Sequence, residues 1–175
     1  MPSEMNSAGG ETDTDETDAP SSASATATDV RATPLFIDTG AFFAYYNDRD
    51  GNHDTARAVF QAIRTGELPY SPLYTTRFVL AELATLLLYE VDRATATRAL
   101  GDIFEGSSFN IIRADPSAFA DAREEFERYD DQGITLVDHL TGVLAAELDV
   151  DHVFAFDGDF RTLGFTVVPE DTGGP

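Results

Sequence analysis

Four acidic residues in this chain stand where a solvated surface acid is out of place. Asp38 closes the apolar run Leu35-Phe36-Ile37, Glu82 lies inside FVLAELATLLL, Asp138 follows ITLV, and Asp157 ends VFAF. Placement matters more than residue type here, because acids are abundant: 32 Asp and Glu among 175 residues. A carboxylate taken out of water without a partner is costly, since desolvation disfavours its ionised form. The usual partners are scarce. All 11 basic residues are Arg, Lys is absent, and no Arg adjoins any of the four. Ionised acids gathered in one crevice would draw cations from solution, and hard oxygen ligands suit Mg²⁺ or Mn²⁺. Such sites serve phosphoryl hydrolysis, where one ion activates water and a second, ~3.5–4 Å away, steadies the leaving oxygen. For any one of these acids, a helix cap or structural ion pair is an equally good reading. Asp38 before Thr39-Gly40, for instance, has the form of a cap. Four acids at comparable sites favour the metal.

The elements that must position them follow from the hydrophobic pattern. PLFID (34–38) is of strand type and ends in an acid. HDTARAVFQAI places Ala56, Val59, Phe60 and Ile63 at helical spacing, with Gly66 as a stop. Pro69 and Pro72 break residues 68–76, so this segment reads as irregular or as a short edge strand. Thr75 or Thr76 can cap the next helix, whose Val79, Leu83, Leu86 and Leu87 share a face, with Glu82 in its first turns. A shorter helix, RATATRALGDIF, follows, and then FNIIRA (109–114) reads as a strand. Pro116 opens a helix carrying Phe119, Ala122, Phe126 and Tyr129, and another helix starts near Thr135. HVFAFD (152–157) and FTVVP (165–169) are strands. This alternation predicts an α/β fold: a mostly parallel sheet with helices on both faces. In such sheets the carboxyl ends of the strands form the crevice where ligands bind, and three of the four acids mark a strand end or helix start.

Composition bounds the setting. One domain with a real core fits 175 residues, 42% of them hydrophobic and 13 of them Phe. Residues 1–33 are Ser, Thr, Ala, Gly and acids with almost no large apolar side chain, and are expected to form a disordered acidic tail. Residues 34–170 form the globular part, and 171–175 are expected to fray. The tail carries seven acids and one Arg, so most of the net charge of −21 belongs to the folded part. That surface repels nucleic acid in ordinary buffer, whereas molar salt cuts the Debye length to ~3 Å and screens the repulsion. The composition therefore reads as adaptation to a salty cytoplasm. With no Cys there is no disulfide, thiolate zinc site or Cys nucleophile. Neither a signal peptide nor a membrane span is visible, and a soluble cytoplasmic protein is expected.

The segments LFIDTGAFFAYYN, TTRFVLAEL, GITLVDHLTGVLA and FAFDGDF, in that order and at these spacings, resemble the PIN domains, and among them the VapC-type toxin ribonucleases of prokaryotic toxin–antitoxin systems. The resemblance spans residues 34–170. Within it, Asp38 with Thr39, Glu82 behind an apolar stretch and a Thr, Asp138 with Thr135 three residues earlier, and Asp157 match the family's four acids in order; Asp159 is available as a fifth. His53 and Ala56 fit its HxxA signature. The resemblance implies a single PIN-like domain with a sheet of about five parallel strands. It also implies divalent-metal-dependent endonuclease activity on RNA, leaving 5′-phosphate and 3′-hydroxyl ends. Asp38, Asp138 and Asp157 would hold metal most directly, and Glu82 would bind metal or orient water. Frequent homodimers and, for toxins, an inhibitory antitoxin are implied too.

Departures and rivals are specific. Many family members line the crevice with basic residues, whereas this chain has only Arg; Arg49, Arg77 and Arg161 lie near the motifs, with surface ion pairs the plainer reading for each. The acidic tail is outside the family pattern. A HAD-type phosphatase needs DxD where this chain has Asp38-Thr39-Gly40, a receiver domain needs a Lys, and a dinucleotide fold needs GxGxxG. His53, His139 and His152 lack metal-ligand spacing, and His139 reads as a local hydrogen-bonder. A housekeeping RNA-processing nuclease and a non-catalytic RNA- or protein-binding module remain the alternatives.

Overall fold

A computed structural model of the chain describes residues 32–128 and 133–174. Residues 1–31, and with them nearly all of the expected acidic tail, lie outside the described residues, as does Tyr129. In chain order the elements are β1 (Thr33–Ile37), α1 (Thr39–Tyr46), α2 (His53–Thr65), β2 (Tyr70–Thr76), α3 (Arg77–Glu90), α4 (Arg93–Glu105), β3 (Phe109–Ile112), α5 (Pro116–Arg128), α6 (Leu136–Glu147), β4 (His152–Phe154), α7 (Asp159–Thr162) and β5 (Thr166–Val168). The five strands form one sheet in the order β3-β2-β1-β4-β5, and every neighbouring pair is parallel.

The two-residue period of the strands divides the core into two. Leu35 and Ile37 of β1, Phe154 of β4 and Val168 of β5 pack with α1 to α4 on one face. Phe36, Val153 and Val167 point the other way and pack with Ala118, Ala122, Leu140, Leu144 and Phe160 of α5 to α7. Each fully buried Leu or Phe in these layers contributes about 1.5–3 kcal/mol. The layering follows from connection handedness. The chain steps outward from β1 to β2 to β3 with its helices on one face. It then returns across the sheet to β4, so right-handed crossovers put α5 and α6 on the opposite face. Strand order therefore reverses between β1 and β4, and that is where an open α/β sheet forms its crevice.

Three readings of the pattern are corrected by the coordinates. The segment broken by two prolines is an interior strand: β2 lies between β1 and β3. Pro72 is tolerated because the β1–β2 register shifts between Thr33 and Leu35, and β3 pairs only from Leu73 onward. Leu86 of α3 is exposed, and Leu80 joins Val79, Leu83 and Leu87 inside. The strand of HVFAFD stops at Phe154, so Asp157 sits in the turn beyond it. Helix starts fall as expected. Thr76 Oγ1 accepts the amide of Val79, and Thr135 forms a capping box with Asp138. His53 Nδ1 lies 2.8 Å from the carbonyl of Ala44, and Ala56 is fully buried, which ties α2 to α1.

Candidate active site

Each acid is held by the element that carries it. The amide of Asp38 donates to the carbonyl of Phe154 (3.1 Å), which draws the end of β1 against β4 at the point where strand order reverses. Asp38 is also the N-cap of α1, with Oδ2 accepting the amide of Gly40 at 2.9 Å. The capping role expected as the alternative is real, but it uses one oxygen. Oδ1 is buried and has no hydrogen-bond partner among the described residues. Next to it, buried Thr39 donates Oγ1 to Oε2 of Glu82 at 2.6 Å, across 43 residues of sequence, and so fixes α3 to the start of α1. Asp138, at the third position of α6, accepts both the amide (2.8 Å) and the hydroxyl (2.7 Å) of Thr135 on Oδ2. Asp157 is exposed and accepts the amide of Asp159 on Oδ1 at 3.1 Å.

The carboxylates feel one another. Burial pushes Asp38 up to about 7 from the ordinary 3.8, against the bond from Gly40, and the charges of Asp138 and Asp157 push it further. Asp138 is raised by burial, against the bonds from Thr135, with Glu82 and Asp159 adding repulsion. Asp157 is raised by desolvation, against the amide of Asp159, with Asp138 and Asp159 again repelling. All five predicted site residues thus share one electrostatic neighbourhood, and no Arg is among the largest influences on the three raised carboxyls. The ion pairs among the described residues lie elsewhere. Arg161 pairs with Glu170 and Asp171, fulfilling the surface role expected of it, while Arg49 and Arg77 are exposed.

Whether a metal suits this arrangement turns on the donors and on the missing cation. The donors are hard carboxylate oxygens, and one of them is buried with nothing to accept from. That combination fits a divalent ion such as Mg²⁺ or Mn²⁺. Among the described residues no three acids stand close enough to cage a cation unaided. An ion that keeps several waters and uses only a few carboxylates does not need such a cage. The sequence reading identified the acids and flagged Thr39 and Thr135 as companions. It did not foresee that each threonine hydroxyl donates to an acid. The Thr39–Glu82 contact left no local signal, because its partners are 43 residues apart. His139 is buried on α6 with its ring against Phe126.

The profile of the PIN domain matches residues 35–166. The chain belongs to the PIN domain family. A VapC ribonuclease of Archaeoglobus fulgidus is 32% identical to it over 126 residues, covering 71% of this chain and 77% of that protein. Among solved structures, VapC20 of Mycobacterium tuberculosis, a toxin that cleaves the sarcin–ricin loop, superposes with a TM-score of 0.68 at 25% identity, covering 75% of this chain and 96% of the other. VapBC2 of Rickettsia felis, bound to a DNA fragment from its promoter, aligns with a TM-score of 0.55 at 16% identity over 77% of this chain and 97% of that one, a likeness of fold. The single α/β domain and its five-stranded parallel sheet are those expected from the sequence.

Proposed function

We propose that this PIN domain is a VapC-type endoribonuclease, the toxin of a toxin–antitoxin pair, and that it hydrolyses RNA phosphodiesters with the help of Mg²⁺ or Mn²⁺. The observation that carries this reading is the buried, unpartnered Oδ1 of Asp38 among acids that make no ion pair with the described residues. In water such a group would simply be solvated; here it needs a cation to be charged at neutral pH. Asp38, Asp138 and Asp157 would hold the metal, with Glu82 binding it or orienting water and Asp159 close enough to add its charge. A divalent ion bound there supplies Lewis acidity at the phosphodiester. The protein's own part is positional. β1 and β4 would carry Asp38 and Asp157 to the same end of the sheet, the capping box would aim Asp138, and Thr39 would hold Glu82.

The acidic, lysine-free surface fits work in a salty cytoplasm, where screening lets RNA approach despite a net charge of −21. A protein antitoxin and a homodimer are the expected partners. Phe78 on α3 and Phe119 on α5 stack 5.6 Å apart yet stay exposed, which supports a dimer on that side, to be tested by light scattering. The activity is tested by incubating the full chain with single-stranded RNA, and with an RNA carrying a sarcin–ricin-type loop, in molar KCl with Mn²⁺. Cleavage into 5′-phosphate products is expected. Cleavage that survives excess chelator, or no cleavage of any RNA, overturns the metal-dependent nuclease. Growth arrest on expression, relieved by a small protein encoded alongside, separates a toxin from a housekeeping nuclease.

A further inference from the structure

The chain has only 11 cationic side chains, so where each one goes is informative. Ion pairs among the described residues engage Arg123, Arg128 and Arg161. Arg77 and Arg113 are exposed, and their guanidinium groups make no ion pair or hydrogen bond among the described residues, in a chain with 32 acids. The acid nearest each in sequence is engaged elsewhere. Oε2 of Glu82 accepts the Thr39 hydroxyl, and Oδ1 of Asp115 accepts the amides of Ser117 and Ala118 at the start of α5. Helix stability does not account for Arg77 either. It is the first residue of α3, at the positive end of the helix dipole, where a cation is unfavourable.

Strand register brings the two arginines together. Thr76 of β2 pairs with Ile112 of β3, so Arg77 and Arg113 each come one residue past a paired position, at the carboxyl end of the sheet. β1 joins the row. Phe36 pairs with Tyr74, and Thr75 donates Oγ1 to the carbonyl of Ile37 at 3.1 Å, which leaves Asp38 level with Thr76. Neighbouring strands lie about 4.8 Å apart, so β2 and β3 stand about 5 and about 10 Å across the sheet from β1. The opposite flank differs. After β4 come Asp157 and Asp159, and Arg161 is held by Glu170 and Asp171. The carboxyl edge thus runs from free cations at β3 and β2, through the acids after β1 and β4, to an engaged cation near β5.

We infer that Arg77 and Arg113 bind backbone phosphates of a single-stranded RNA, so that the strand flanking the acids lies over β2 and β3 and not over β5. This deepens the nuclease reading above, on which it rests, by giving the substrate a direction across the sheet. An anionic strand approaching this cluster of carboxylates, in a chain of net charge −21, needs cations to hold it. Guanidinium suits phosphate because its donors form a fixed fork that matches two oxygens. Such contacts fix where a strand lies and carry no base preference. The two arginines therefore set the path of the RNA and not the sequence that is cut.

The test reads binding apart from turnover, by fluorescence anisotropy of a labelled single-stranded RNA on the full chain in excess chelator. KCl is varied across about 0.2–2 M, because each phosphate contact on a single strand adds about 0.7 to the slope of log affinity against log salt. Arg77→Gln and Arg113→Gln should each lower that slope by about 0.7, or about fivefold in affinity over a tenfold range of salt, and the double variant by about 1.4. Arg77→Lys keeps the charge and should keep the slope. Arg161→Gln removes the same charge from the β5 side and should leave the slope unchanged. With Mn²⁺ present, the two Gln variants should raise KM about fivefold at the low-salt end, with kcat within about twofold of wild type. Slope and KM unchanged in both variants, or altered as much in Arg161→Gln, overturn the inference, while cleavage by wild type keeps the nuclease reading. Weaker binding accompanied by a lower mass in light scattering assigns the arginines to contact between copies and overturns it too. Salt-dependent binding through the two arginines in a chain that cleaves no RNA upholds them as phosphate ligands and sinks the nuclease reading alone.

Discussion

Two aspartates near the sheet have opposite fates. Asp38 follows β1 at the reversal of strand order, buried, with one oxygen unpartnered, and its carboxyl is pushed up to about 7. Asp171 lies just after β5, exposed, where it accepts the amide of Val167 and the guanidinium of Arg161. Those two donors, the amide first, hold its carboxyl below the usual range. Both are acids in an acid-rich chain with only 11 Arg. What separates them is that the fold gave Asp171 its donors and gave Asp38 less than its charge requires. Asp171 belongs to the architecture of the C-terminal turn. Asp38 is an incomplete interaction, and that is what the metal-dependent reading proposed above would complete.

The largest effect should come from Asp38→Asn, which keeps the shape and the cap but loses the charge. If the site works as proposed, RNA cleavage falls by about 10²–10³-fold or more, since Lewis-acid stabilisation is worth several kcal/mol and each 1.36 kcal/mol is tenfold. A variant retaining more than a tenth of wild-type cleavage would remove Asp38 from the mechanism. Melting in excess chelator gives the second effect, of opposite sense. Between the unfolded value of 3.8 and the folded value of about 7, folded Asp38 keeps a proton that the unfolded chain has lost. Its contribution is therefore full below about pH 4, falls as pH rises, and levels off above about 7. At 1.36 kcal/mol per pKa unit the loss is up to about 4 kcal/mol. Metal-free Asp38→Asn should accordingly melt higher than wild type at pH 8, and Mn²⁺ should raise the melting temperature of wild type alone. Equal melting curves for the two proteins across pH 4–8 would show that Asp38 is not strained.

How far this site could be seen in the sequence depended on whether its signals were local. Asp38, Asp138 and Asp157 each end or begin an apolar run, and their capping contacts, Gly40, Thr135 and Asp159, lie within three residues. Those acids, the β-α alternation and the helix starts at Thr76 and Thr135 follow from neighbours in the chain. Pro72 misled because a proline rule describes an average strand, and the register shift that accommodates it depends on β1, some forty residues away. Leu86 and Leu80 exchanged places because periodicity alone does not say which side of an apolar helix meets the sheet. The Thr39–Glu82 bond and the lone oxygen of Asp38 exist only once β1 and α3 have docked, so no local pattern records them.

The smallest effect is predicted at the other aspartate. Arg161 donates through Nε to both oxygens of Asp171 (2.8 and 3.1 Å) and through Nη2 to Glu170 (2.6 Å), all near the surface. Exposed ion pairs contribute little, and salt screens them further. Asp171 also keeps the Val167 amide, which does not depend on Arg161. Arg161→Gln should therefore lower the melting temperature slightly in dilute buffer and not measurably in molar KCl, with RNA cleavage and Mn²⁺ affinity unchanged. The sign of the pH effect is the reverse of that at Asp38. With its folded value depressed, Asp171 contributes stability present above the unfolded value of 3.8 and lost as pH falls through the folded one. Arg161→Gln should thus make the protein slightly less stable at neutral pH and converge on wild type in acid. A large fall in cleavage on Arg161→Gln would instead place this guanidinium on the RNA phosphate, and the contrast between a satisfied aspartate and an unsatisfied one would no longer separate structure from function in this fold.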